Sequence, residues 1–252
     1  MFIDFNGLTC FDLETTSSHK SLEEMGKENP RMIDLWQRVC EKRRKSGEER
    51  FTECSSDDEA YFNNAGLYPE FGRIVNASFA MYERSEDPED PGKIQVISVG
   101  GENETQIINA CNRMFSNSSW IAGHNVKGFD VPFFSRRAYI NSIMPHPNID
   151  TVTKKPWDVR ILDTQEIWKF GSFNHSYTSL DLLTTCMGME SPKLEHFGAH
   201  VSSLYWEKRD FEEIAKYCEG DVISTLKILI KFNNAGFDTS SIETDRRPMR
   251  SV

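Results

Sequence analysis

Three strand-like runs come first along this chain, and only after them do strand-like and helix-like segments take turns. The first run, Leu8 to Glu14, is apolar and β-branched until it gives way to two carboxylates. The second and third, Ile74 to Tyr82 and Lys93 to Val99, are parted by the turn-rich stretch Ser85 to Gly92, which carries two prolines and predicts a hairpin. Beyond them the period changes. Glu104 to Phe115 has helical spacing, Trp120 to Asn125 reads as a short buried strand, and Val131 to Ile143 as a helix. Val159 to Asp163 is again strand-like, Thr164 to Lys169 and Leu180 to Met187 are short helices, and Phe211 to Phe232 is the longest one. Consecutive strands followed by alternation predict an α/β fold, a mixed five-stranded sheet flanked by helices.

At 252 residues the chain has enough material for one large core and too little for two domains with linkers. A single domain is expected over residues 1–235, and 236–252, where Ser, Thr and Arg abound, is expected to be a flexible tail. Residues 17–65 form a polar insertion in which Met32 to Val39 has helical spacing and Glu41 to Arg50 reads as a solvated helix end and loop.

Charge narrows the function classes. A net charge of −10 argues against broad coating of nucleic acid, which draws on Lys and Arg to neutralise phosphates. Clustered acids that bind divalent cations would invert that field locally, so a nuclease is still allowed. No stretch of about 18 apolar residues suggests a membrane span, and the opening residues lack a basic signal-like region, so a cytoplasmic location is expected. The six cysteines are scattered without a CxxC pair and read as reduced thiols rather than a zinc or redox motif.

Three acidic constellations stand out. Asp12 and Glu14, two apart on a strand, project from the same face, an arrangement of like charges that a divalent cation relieves. Asp130 sits where strand passes to helix, ahead of Pro132, a position equally suited to a helix cap. Tyr217 and Asp221, four apart on the long helix, share a face, where a tyrosine is ordinarily core.

In that order, Phe11-Asp12-Leu13-Glu14-Thr15-Thr16, Asn125 to Asp130 and Tyr217 to Asp221 resemble the three exonuclease motifs of the DEDD superfamily. The Tyr-xxx-Asp form is similar to the DEDDy branch, which includes the exonuclease module of family B DNA polymerases and stand-alone relatives from bacteria and phages, and so implies a bacterial or phage-infected cell. Tyr68 to Val75, Ile161 to Thr164 and Ser179 to Leu183 add to the likeness, which spans about residues 8 to 232; the insertion fits it poorly.

The resemblance implies a ribonuclease H-like sheet and a 3′→5′ exonuclease that releases nucleoside monophosphates from DNA ends. Asp12, Glu14, Asp130 and Asp221 would hold two Mg²⁺ or Mn²⁺ ions roughly 3.5–4 Å apart. Tyr217 would orient the attacking water, since a phenol is a poor base at neutral pH. Asn125 and Phe129 would shape the pocket for the terminal nucleotide, and Thr15 and Thr16 would touch the substrate backbone. His124 is expected to be a satisfied sheet-end histidine. Asp163 would support the site or cap the next helix, and Arg136, Arg137, Lys154, Lys155 and Lys193 are candidate phosphate contacts. The alternatives are an exoribonuclease, a non-catalytic nucleic-acid-binding module, or an accessory subunit of a separate DNA polymerase.

Overall fold

In the structure, a computed structural model that describes residues 2–87, 89–173, 177–190 and 199–252, all five expected strands share one sheet. They are β1 (Leu8–Ser17), β2 (Gly72–Glu83), β3 (Lys93–Gly100), β4 (Trp120–Gly123) and β5 (Ile161–Asp163), in the order β5-β4-β1-β2-β3. β1–β2 and β2–β3 run antiparallel, β1–β4 and β4–β5 parallel, so the sheet is mixed.

Two more strands correct the expectation for the tail. β6 (Glu243–Arg246) and β7 (Arg250–Ser251) both pair parallel with β3, giving seven strands among the described residues rather than five. The reason is the open edge of β3, whose unpaired backbone groups need partners that an aperiodic polar segment can supply as well as an apolar one. Composition alone does not reveal such pairing.

Helices cover the sheet. In the insertion lie α1 (Leu22–Glu28), α2 (Pro30–Lys45), α3 (Glu49–Thr52) and α4 (Asp57–Asn64). After β3 come α5 (Glu104–Asn117), α6 (Asp130–Ile140), α7 (Thr164–Lys169), α8 (Leu180–Cys186), α9 (Ala199–Ser203) and α10 (Phe211–Asn233). α6 stops short of the expected Ile143 because Ser142 takes a left-handed φ of 59°.

The two faces of β1 meet different helices, following the period of two. Phe11 and Leu13 join Ile107, Ile108 and Phe115 of α5 and Phe133 and Phe134 of α6 in one core. Leu8 and Cys10 join Val222, Leu226 and Leu229 of α10 in the other. Each such fully buried side chain contributes on the order of 1.5–3 kcal/mol. Asp12 and Glu14 continue the even-numbered row, so the alternation that buries Leu8 and Cys10 also delivers two acids toward α10.

The insertion has its own core. Trp36 is fully buried among the rings of Phe51, Tyr61, Tyr68 and Phe71, and its indole N–H donates to the Asp57 carbonyl at 3.0 Å. The mixed run Glu41 to Arg50, expected as a helix end and loop, carries the end of α2 at Lys45 and a short connection, after which α3 begins at Glu49. Ser21 and Ser56 cap α1 and α4 by accepting from Glu24 N and Glu59 N. Among the described residues, no helix is long and apolar enough to cross a membrane.

Candidate active site

The site forms where the carboxyl half of β1, the start of α6 and the middle of α10 converge. Asp12 and Glu14 face Ser78 and Asn76 across the β1–β2 ladder, and immediately beyond Glu14 the register skips Val75. Such bulges re-aim side chains beside functional sites. Asp130, only 4% exposed, is the first residue of α6 rather than its cap, and its Oδ1 accepts from the Leu13 N–H at 3.2 Å. That bond pins the helix start between the two acids of β1.

Electrostatics show how tightly the acids are gathered. Burial, then the charge of Asp130, raises Asp12 well above the usual carboxylate range, opposed by a hydrogen bond from Cys218. Glu14 is raised by burial, then by Asp12, Asp221 and Asp130. Burial pushes Asp130 up to about 8, against its own backbone hydrogen bond and the one from Leu13, with Asp163 and Asp221 adding to the rise. Asp221 is raised by burial and then by Asp12, and its Oδ1 is buried with no hydrogen-bond partner among the described residues. A buried carboxylate oxygen facing other carboxylates is costly unless a cation answers it. Of these acids, Asp12 and Glu14 bring ligand atoms within 4.8 Å of each other and of Cys218 Sγ, a grouping that could hold a metal ion.

The segment between β4 and α6 is held from behind by Asp163. Its carboxylate accepts from Asn125 N at 2.9 Å and Lys127 N at 3.0 Å while capping α7 through Gln165 N at 2.9 Å. The two roles expected as alternatives for Asp163 are thus one. Asn125 is left-handed at φ 57°, and a Cβ on Gly128 would lie 2.4 Å from its Oδ1, so glycine there leaves room for the amide. His124 is satisfied at both ring nitrogens, by Thr164 Oγ1 at 2.8 Å and the Thr178 carbonyl at 2.9 Å.

Two tyrosines differ in their surroundings. The Tyr217 hydroxyl pairs with His200 Nε2 at 3.1 Å, with the rings edge to face. Tyr177 is 65% exposed, rests its ring against His124, and has its hydroxyl raised by burial and then by Asp130, Asp221, Asp12 and Asp163. Its one ring contact among the described residues is edge-on to His124, at 6.0 Å between centroids, a placement the sequence did not disclose.

A family described as predicted 3′-5′ exonucleases related to the exonuclease domain of PolB matches residues 67–246. The chain belongs to this family. β1, with Asp12 and Glu14, lies ahead of the matched span. Among solved structures, the family B DNA polymerase from the hyperthermophilic archaeon Pyrobaculum calidifontis is similar over 89% of this chain and 24% of its own, with a TM-score of 0.55 and 15% identity. That likeness supports the polymerase-exonuclease, ribonuclease H-like fold, and this exonuclease-family chain spans about a quarter of the polymerase's length. No curated protein matches the sequence.

Several residues expected to meet substrate also have partners inside this exonuclease fold. Thr15 Oγ1 donates to the Gly66 carbonyl at 2.7 Å, and Thr16 is fully buried, its hydroxyl 2.8 Å from Ser202 Oγ. Thr16 shares the face of Asp12 and Glu14, but the α9 segment covers it, a contact between residues 186 apart. Phe129 packs partly buried on Phe133 at the edge of the core. Arg137 is buried in a two-point pair with Glu104, at 2.8 and 2.5 Å, and its Nη1 donates to the Pro69 carbonyl, so it is structural. Arg136 is exposed, Lys154 donates to the Pro147 carbonyl and Lys155 lies over Trp157. Lys193 lies outside the described residues.

Proposed function

We propose that the chain is a divalent-metal-dependent 3′→5′ exonuclease acting on DNA ends, releasing nucleoside monophosphates from single-stranded or frayed termini in proofreading or repair. Membership of the exonuclease family supports the reaction class. The observation that carries the metal dependence is the buried, unpartnered Asp221 Oδ1 set among three further acids whose protons are held tightly. Asp12, Glu14, Asp130 and Asp221 would hold two Mg²⁺ or Mn²⁺ ions. Bound there, such ions supply an activated water and charge neutralisation for the scissile phosphate.

The chain's own groups do the positioning. The Leu13 N–H holds Asp130, and Asp163 holds the Asn125 to Lys127 backbone, so the acids and the nucleotide pocket are set by one rigid unit. Asn125 and Phe129 shape the pocket for the terminal nucleotide. Tyr217, itself oriented by His200, positions the water, while Tyr177 lies at the solvent-exposed rim where the last base or phosphate arrives. The likeness to a DNA polymerase favours DNA over RNA, and a separate polymerase is the partner we propose.

The test incubates purified protein with 5′-labelled single-stranded DNA and matched RNA in Mg²⁺, Mn²⁺, Ca²⁺ or chelator, beside Asp12→Ala. A one-nucleotide ladder shrinking from the 3′ end, dependent on Mg²⁺ or Mn²⁺ and absent from the variant, supports the reading. Faster loss of RNA would reassign the sugar. No cleavage of either polymer, with or without a polymerase present, would refute the enzyme.

A further inference from the structure

An exposed tryptophan stands among cations just ahead of β5. Trp157 is 76% exposed, although tryptophan is ordinarily among the more buried side chains. The segment from Asp150 to Arg160 around it carries Lys154, Lys155 and Arg160, in a chain whose net charge is −10. The two lysines direct their ammoniums to a carbonyl and a ring rather than to a carboxylate. Lys154 Nζ donates to the Pro147 carbonyl at 2.6 Å, and Lys155 Nζ lies 5.4 Å from the centre of the Trp157 ring. Arg160 is exposed. Of the two acids in the segment, Asp150 is engaged by its own turn, accepting from Val152 N at 2.8 Å and Thr153 N at 3.0 Å, and Asp158 is set among the three cations.

The segment is built before any ligand arrives. Ile149, just ahead of it, is buried in the main core, Val159 packs on the same core, and the Arg160 carbonyl accepts from the Ile121 N–H at 3.0 Å. Pro156 opens a 3₁₀ turn, Pro156–Asp158, which the Asp158 N–H closes on the Lys155 carbonyl at 2.8 Å, and Trp157 stands out from this turn into solvent. A bare ring ringed by cations on an anchored loop suits one kind of ligand. Bases stack on the ring, and phosphates meet the ammonium and guanidinium groups. An acidic protein would answer the cations without needing the ring, whereas a strand of nucleic acid uses both.

The segment also stands in line with the proposed site. β5 begins at the residue after Arg160 and ends at Asp163, whose carboxylate holds the Asn125 to Lys127 backbone. At about 3.3 Å per residue, Arg160 lies about 10 Å from Asp163. That is the length of about three nucleotides at roughly 3.4 Å per phosphate.

We propose that Trp157, with Lys154, Lys155 and Arg160, forms a platform for single-stranded nucleic acid, where a base behind the 3′ end stacks on the ring and the neighbouring phosphates meet the cations. The inference rests on the exonuclease reading and adds to it the surface that holds the strand behind the cleaved end.

The experiment measures fluorescence anisotropy of a 5′-labelled single strand of about 12 nucleotides, and of an abasic strand of the same length, with the full chain in chelator. Metal-dependent trimming cannot proceed there, so binding is read apart from catalysis. Trp157→Ala should lower affinity for the base-bearing strand about tenfold and leave that for the abasic strand unaltered. Lys154→Gln/Lys155→Gln/Arg160→Gln should weaken both and make the dependence of log affinity on log salt shallower by about 2, from about 0.7 per phosphate on single strands. In Mg²⁺ or Mn²⁺, the KM advantage of the long strand over a dinucleotide should narrow about tenfold in Trp157→Ala. An unfolding midpoint shared with the unsubstituted protein, expected because Trp157 is exposed, separates lost binding from lost fold. Equal losses on the two strands in Trp157→Ala overturn the inference. Unaltered affinity of both variants for the base-bearing strand also overturns it, and leaves the segment to a protein partner. If either result accompanies 3′ trimming, the proposed function stands without the platform. Trp157-dependent binding in a protein that trims no polymer supports the platform and counts against the exonuclease.

Discussion

Replacing Asp130 by Asn should stabilise the metal-free protein, and more so as the pH rises. Burial lifts the Asp130 carboxyl from an ordinary 3.8 to about 8. The folded state therefore holds this proton more tightly than the unfolded chain does, and stability is lost as the pH climbs through that interval. At ~1.4 kcal/mol per pKa unit, ionising the group inside the fold costs about 6 kcal/mol more than ionising it in the unfolded chain. Most of that cost accrues between pH 5 and pH 8, where it grows by about 4 kcal/mol, a large part of a typical domain's 5–15 kcal/mol. Asn keeps an oxygen to accept from the Leu13 N–H while removing the charge that Asp163 and Asp221 oppose. Urea unfolding in chelator at pH 5 and pH 8 measures the difference. The variant's advantage should widen from the lower pH to the higher and shrink when saturating Mg²⁺ binds the unsubstituted protein. Equal gaps at the two pH values would refute the account of Asp130 as a buried acid waiting for a cation.

Three further outcomes are expected. Asp221→Ala should slow 3′ trimming by about 100-fold or more, whereas Tyr217→Phe should slow it by about tenfold and His200→Ala should resemble it; single-turnover rates on a labelled oligonucleotide decide this. Tyr177→Ala should raise KM for DNA more than it lowers kcat, since an exposed aromatic at the rim acts through substrate contact; an equal fall in kcat and kcat/KM would count against that place. Arg137→Met should cost ~3–5 kcal/mol in urea unfolding because it leaves the buried Glu104 charge with only the Ile74 N–H and the Asn141 amide, and Glu104→Gln/Arg137→Met together should recover most of the loss. Unchanged stability in the single variant would return Arg137 to the list of phosphate contacts.

Much of the architecture was legible in the residues because it rests on local periodicity. Alternating apolar positions in β1, β2 and β3 and the helical spacing in α5 and α10 identify elements within their own spans, and the family match from residue 67 agrees with what their order implied. The Asp12–Glu14 pair and the Tyr217–Asp221 spacing likewise declare their faces through the periods of strand and helix. Other features depend on residues far apart in sequence. The tail strands, the cover that α9 places over Thr16, the Arg137–Glu104 pair and the packing of Tyr177 on His124 arise only when distant segments meet. Cys218 shows the division most clearly. Its place beside Asp221 could be read from the chain, but its sulfur's contact with an acid 206 residues away is decided by how α10 packs across β1, since burial selects which neighbours close and periodicity cannot name them.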